Sequence, residues 1–205
     1  GREAFASGAD ISEFEEVRKD RATAEAYNAR TAAAYAAIED CPKPAVAMVH
    51  GFCMGGGIAL AMACDLRFAA REARFGIPAA RLGIVYGLHS TKRVVNLVGP
   101  SRAKDILFSA RTFGADEALA MGFVDRVLPP EELEPYTYDY LRKVAANAPL
   151  SVQGAKLVID AVQADGGASR REAIERAEIE AFESEDYREG TRAFLEKRPP
   201  RFQGR

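Results

Sequence analysis

The chain has 205 residues, 48% of them hydrophobic and 28% charged, with a formal net charge of −2. That length supports one sizeable core, and the lack of a basic excess argues against nucleic acid as a partner. No apolar run reaches the roughly 18 residues that cross a bilayer and no leader-like stretch precedes the first motif, so a cytoplasmic protein without membrane contact is expected.

Residues 5–11 read FASGADI, a small-residue loop whose main chain is left uncovered. Alanine and glutamate then dominate from 12 to 37 and predict a helix, stopped by the CPKP turn at 41–44. A buried strand is expected over 45–49, with His50 at its end.

The segment from 45 to 65, AVAMVHGFCMGGGIALAMACD, carries the most information. An apolar strand meets three glycines and an apolar helix follows at once. Gly55, Gly56 and Gly57 leave N–H groups uncovered at the helix start, where the aligned peptide dipoles favour negative charge. Such a corner can hold an oxyanion. The same glycines would also let a helix pack tightly or reach positive φ, a purely structural use. The second uncovered main chain at 5–11 favours the oxyanion reading. Two backbone donors from separate loops can meet on one oxygen, each worth about two to three orders of magnitude in rate. Asp65 lies a helix length from the glycines and reads as a structural hydrogen-bonding partner. Cys41, Cys53 and Cys64 lack metal-ligand spacing and only two histidines accompany them, so reduced, packed thiols and no metal are expected.

Beyond Asp65 a strand, LRFAA, leads through 71–74 to FGIP, and helical periodicity begins at about Thr91. Helices are expected at 101–110, 116–121, 131–147 and 151–164. Ser169 and Glu172 have the spacing of a capping box ahead of one more. The chain closes on FLEKRPPRFQGR, a basic tail that is either solvated or ligand-contacting.

In this order FASGADI, VHGFCMGGGIALAMACD and RFGIPAARLGIVYG, followed by GFVDRVLP at 122–129, resemble the enoyl-CoA hydratase/isomerase (crotonase) family. The resemblance covers essentially the whole chain. It implies an α/β, crotonase-like fold: repeated ββα units over 1–130, with a helical region over 131–205 that covers the CoA site and mediates oligomerisation. Family members carry early strands ahead of the first motif where only 1–4 stand here, so either the sequence is part of a longer polypeptide or the fold lacks those strands. The implied substrate is an acyl-CoA thioester, with coenzyme A entering as part of it and no separate cofactor. The implied assembly is a homotrimer or a dimer of trimers.

By the same resemblance the amides of Ala9 and Gly56 form the oxyanion hole. Ser7, Asp10 and Ile11 of the first motif, Gly55 and Ala59 of the second, and Pro78, Ala79 and Gly87 of the third fall at ligand-binding positions. Lys197 or Arg198 would meet a CoA phosphate. Glu3, by contrast, stands where relatives often carry a base.

The departures concern chemistry. Family hydratases use two carboxylates, in GGGxE and FGxPE, and those places hold Ala59 and Ala79 here. A methyl group can neither activate water nor protonate carbon, tasks worth about two to four orders of magnitude each. Two-glutamate hydration is therefore not expected, although the family label would be hydratase. In LGIVYGLHSTKR, Tyr86, His89 and Ser90 replace the glycine-rich stretch of hydratases, and a tyrosine there resembles the decarboxylase branch. Tyr86 and His89 are the candidate polar groups for catalysis. Tyr86 could equally be a packed aromatic, and His89 a helix cap. Adjacent residues on one turn point apart, which disfavours a His89–Ser90 hydrolytic pair. Decarboxylation, hydrolysis and C–C cleavage of a CoA thioester all remain open, as does a non-catalytic acyl-CoA binder or scaffold.

Overall fold

The computed structural model describes Gly1 and residues 3–205. β1 (Ala4–Ala6) leads to a single 3-10 turn at Ile11–Glu13, capped by Asp10, whose carboxylate accepts from Ser12 N at 2.9 Å and Ser12 Oγ at 2.7 Å. The one helix expected over 12–37 is two, α1 (Phe14–Val17) and α2 (Arg21–Glu39). Asp20 makes the break. It is extended at φ −146°, its carboxylate accepts from Thr23 N at 2.8 Å, and its own N–H donates to Thr23 Oγ1 at 3.2 Å. This reciprocal cap, worth about 1 kcal/mol, uses threonine where a glutamate is the usual signal.

Then follow β2 (Val46–Val49), β3 (Phe52–Met54), α3 (Gly56–Ala63), β4 (Leu66–Ala70), β5 (Arg74–Gly76) and α4 (Leu88–Ser109), two successive ββα units. β6 (Thr112–Gly114), α5 (Ala115–Met121) and β7 (Arg126–Leu128) close the sheets. One sheet has the order β1-β3-β5-β6, parallel except for the β5/β6 pair; the other is parallel throughout, in the order β2-β4-β7. α4 begins three residues before the expected Thr91 and is bent at Gly99, whose φ of 75° and ψ of 165° are not helical. Pro100 follows and has no N–H to donate, so the stretch expected from 101 is the second half of a kinked helix.

The rings of Phe75, Phe113 and Phe123 meet with centroids 5.5–5.7 Å apart and are buried beside Ile58, Ile77, Val94 and Ile106. Each such side chain contributes about 1.5–3 kcal/mol on leaving water. Asp65 behaves as expected, accepting from Ala45 N at 2.6 Å at the head of β2. Arg67, 5% exposed, donates to the carbonyls of Phe123 and Cys64 and to the Asp125 carboxylate, tying β4 to the turn after α5.

By contact density the chain forms two units, residues Gly1–Cys41 with Ala45–Thr137, and Pro42–Pro44 with Tyr138–Arg205. The boundary falls inside α6 (Pro130–Ala145). The second unit holds α7 (Pro149–Asp165), α8 (Arg171–Glu183) and α9 (Glu185–Leu195). The capping box expected from Ser169 and Glu172 does not form. Arg170 occupies the cap position of α8 and makes no side-chain cap bond, because Asp165 takes the amides of Gly167 at 3.1 Å and Ser169 at 3.0 Å. After α9 the tail folds back on its own helix: Asp186, 3% exposed, accepts from the N–H groups of Gln203 and Gly204, both at 2.7 Å.

Candidate functional site

The three motifs of the first unit meet at Gly55 and Gly56. Gly57 is required because an added Cβ would overlap the Ala6 carbonyl, so β1 lies directly against the first turn of α3. Gly8 is the second close approach. Its φ is +91°, and a Cβ there would stand 2.9 Å from both Gly56 N and Met54 O. From the other side, a Cβ on Gly56 would stand 3.7 Å from Ala9 N. The backbone nitrogens of Ala9 and Gly56 thus come from segments separated by the whole of α2 and are packed into one corner. Among the described residues neither N–H donates to a backbone carbonyl in the loops and turns.

Gly55 anchors that corner. At φ 51° and ψ −113° it caps α3 without a side chain, donates its N–H to Gly76 O at 2.9 Å, and accepts at its carbonyl from Ile58 N and Ala59 N at 3.1 and 3.3 Å. Pro78 brings the third motif alongside, its Cδ 3.9 Å from where a Gly55 Cβ would be. Ala59 is 2% exposed on α3 and Ala79 is half-buried against the core. Neither methyl offers a proton.

Two tyrosine hydroxyls reach the corner from behind. Tyr86 donates to Gly55 O at 3.4 Å and Tyr35, from α2, to Gly56 O at 3.3 Å. Burial raises the pKa of Tyr86 well above the usual phenol value, with Tyr35 adding to it. Burial also raises Tyr35. Both are therefore neutral donors at ordinary pH. No motif marks Tyr35: it sits in an alanine-rich helix whose spacing carries no chemical signal.

His89 goes elsewhere. Gly87 is the residue that caps α4, without a side-chain bond, so His89 does not cap the helix. Its Nε2 lies 2.8 Å from Arg93 Nη2 and 3.3 Å from Glu39 Oε2. Arg93, one-tenth exposed at its side chain, also pairs with Glu39, and its Cζ is 5.9 Å from the Tyr35 ring. Arginine only donates and a carboxylate only accepts, so the one nitrogen Nε2 of His89 can hydrogen-bond Arg93 or Glu39 but not both at once.

Of the other positions, Ser7 and Ile11 are exposed beside the corner in sequence, and Asp10 is occupied by its own cap, the bonds from Ser12 lowering its pKa. Cys53 is fully buried, and burial pushes its thiol up to about 12, as suits a packed residue rather than a nucleophile. In the second unit Lys197 is exposed at φ 55°. Arg198 is already committed to Glu189, at 2.7 and 2.9 Å, and to Glu196 at 2.6 Å, so its charge is matched inside the chain rather than left for a phosphate. Among the described residues no group of three His, Cys, Asp or Glu side chains could hold a metal ion, and no helix is long and apolar enough to cross a membrane.

Comparison with known proteins agrees with this architecture. The sequence profile of the family described as Enoyl-CoA hydratase/isomerase matches residues 1–205. A short-chain-enoyl-CoA hydratase of Clostridium acetobutylicum is 37% identical over 97% of this chain and 75% of its own length. A crotonyl-CoA hydratase of Syntrophomonas wolfei is 38% identical over 98% and 77%. Among solved structures, an enoyl-CoA hydratase/isomerase family protein from Hyphomonas neptunium superposes with a TM-score of 0.92 at 40% identity, covering 98% of this chain and 77% of that one. An enoyl-CoA hydratase/carnithine racemase from Magnetospirillum magneticum gives 0.93 at 33%, covering 100% and 76%. With its glycine corner, its paired ββα units and a match along its full length, the chain belongs to the enoyl-CoA hydratase/isomerase family and has the α/β crotonase fold with a helical C-terminal region.

Proposed function

We propose that this protein acts on an acyl-CoA thioester by holding the thioester oxygen between the amides of Ala9 and Gly56 while negative charge develops on it. The observation that carries the reading is the backbone contact of Gly8 with Gly56, which gathers two N–H groups without an internal acceptor at a helix start. Preorganised donors of this kind lower the barrier because they need no reorganisation when charge appears. Coenzyme A enters as part of the substrate, with no separate cofactor and no metal. The protein works in the cytoplasm as a homotrimer or a dimer of trimers.

The alanines at 59 and 79 direct the reaction away from two-carboxylate hydration. Loss of CO2 from an α-carboxyacyl thioester leaves the broken bond's electron pair on the thioester enolate, so it needs enolate stabilisation and then one proton from solvent water, but no base to deprotonate carbon. Tyr86, whose hydroxyl reaches the corner from the third motif, is the first candidate polar side chain, and His89, beside Arg93 and Glu39, is the second. The purified protein is to be assayed with crotonyl-, malonyl- and methylmalonyl-CoA. Release of CO2 with negligible hydration is the expected result. Hydration of crotonyl-CoA at ordinary enzymatic rates would overturn it, and silence on all three together with tight CoA binding would favour the non-catalytic binder.

A further inference from the structure

We infer that Tyr86 is a positioning residue that acts on the substrate oxygen through the Gly55–Gly56 peptide. The inference rests on the oxyanion reading of Gly56. The carbonyl of Gly55 and the N–H of Gly56 belong to the same planar peptide unit, so whatever fixes one fixes the direction of the other. The Tyr86 hydroxyl is the side-chain donor on that carbonyl, at 3.4 Å, joining the helix amides of Ile58 and Ala59. A donor on the oxygen draws electron density through the amide and makes its N–H a stronger donor at the far end.

Two further observations support this. Gly55 has a conformation open to glycine, φ 51° and ψ −113°, so the direction of the 55–56 peptide is set by the donors on its carbonyl, Ile58 N, Ala59 N and the Tyr86 hydroxyl, rather than by its own sterics. The Thr91 hydroxyl in turn donates to the Tyr86 carbonyl at 3.1 Å, so the first turn of α4 fixes the residue that carries the phenol. The second tyrosine supplies an internal control. Tyr35 donates to the carbonyl of Gly56, which shares its peptide with Gly57 N and not with the proposed donor. The two hydroxyls are equally close to the corner and differ in which amide they polarise.

The test uses butyryl-CoA labelled with carbon-13 at the thioester carbonyl. It has neither a double bond to hydrate nor a carboxylate to lose. Isotope-edited infrared difference spectra of the bound thioester report how strongly the carbonyl is polarised. The native protein is expected to lower the carbonyl frequency relative to free butyryl-CoA. Tyr86→Phe should lose about half of that shift, while Tyr35→Phe keeps it. Site-specific replacement of Tyr86 by difluorotyrosine, a stronger donor, should deepen the shift, which a purely structural role would not do. On a turned-over substrate Tyr86→Phe should lower kcat about tenfold with KM within about twofold, a fraction of the cost of deleting a donor outright. If Tyr86→Phe does not fold, the difluorotyrosine protein alone is read, and an unchanged shift there overturns the positioning role. A full native shift in folded Tyr86→Phe overturns the positioning role and leaves the oxyanion reading standing. No shift in the native protein overturns both.

Discussion

The glycine corner and the C-terminal tail both gather backbone amides, and they do so by opposite means. In the tail the N–H groups of Gln203 and Gly204 converge on the buried Asp186 carboxylate, and that of Arg201 on Glu189, so the anion is part of the chain. In the corner, close contact of Gly8, Gly56 and Gly57 with neighbouring backbone brings amides together with no carboxylate supplied. The same chemistry is closed for stability in one place and left open for a ligand in the other. What separates them is the side chain: an aspartate fills its own nest, whereas three glycines cannot.

The largest expected effect comes from closing the corner. Gly8→Ala places a methyl 2.9 Å from Gly56 N in a backbone at φ +91°, so the loop must shift and the two amides part. Turnover is expected to fall about 100-fold or more, the worth of one oxyanion donor. The bound butyryl-CoA carbonyl should return toward its free frequency while the circular dichroism stays native. An unchanged spectrum would mean that the corner is packing alone.

Opening the tail should cost less. Asp186→Ala leaves two N–H groups without their acceptor, and about 1–3 kcal/mol of the second unit's stability should be lost. Urea denaturation measures the loss, and limited proteolysis should show cleavage near the C-terminus. Asp186→Asn keeps an acceptor oxygen and should lose less. Equal loss in both variants would assign the effect to charge rather than to the amides.

The contrast also explains what could be read from the amino-acid sequence. Gly55–Gly57 and FASGADI are legible because a close backbone approach tolerates only small residues, and that demand leaves a local mark. The strands at 45–49 and LRFAA and the C-terminal helices follow from apolar periodicity, while the ββα order comes only with the family resemblance. The break at Asp20 was hidden because its capping partner is Thr23, and the failed box at Ser169 because Asp165, four residues earlier, competes for the amides. Tyr35 was not legible at all. Its hydroxyl matters only because tertiary packing sets α2 against α3, and nothing within its own helix distinguishes it from Tyr27. Arg198 shows the converse: a basic tail looks available for phosphate until the fold brings Glu189 to it.

The smallest effect concerns that last pair and carries a definite pH dependence. Hydrogen bonds from Arg198, then from the Arg201 amide, hold the Glu189 carboxyl down from 4.5 to about 2. A depressed carboxylate stabilises the fold fully above 4.5 and loses that contribution as pH falls through about 2. The Arg201 amide donates to Glu189 at 2.9 Å, so its proton chemical shift reports the ionisation directly. Between pH 6 and 4 that resonance should stay in place, where an ordinary carboxylate would already be more than half protonated at the lower limit. It should begin to move only below about pH 3, and Glu189→Gln should abolish the titration. Movement centred near 4.5 would show a tail held by solvent-exposed charges alone, and the likeness between its closed nest and the open corner would then rest on Asp186 by itself.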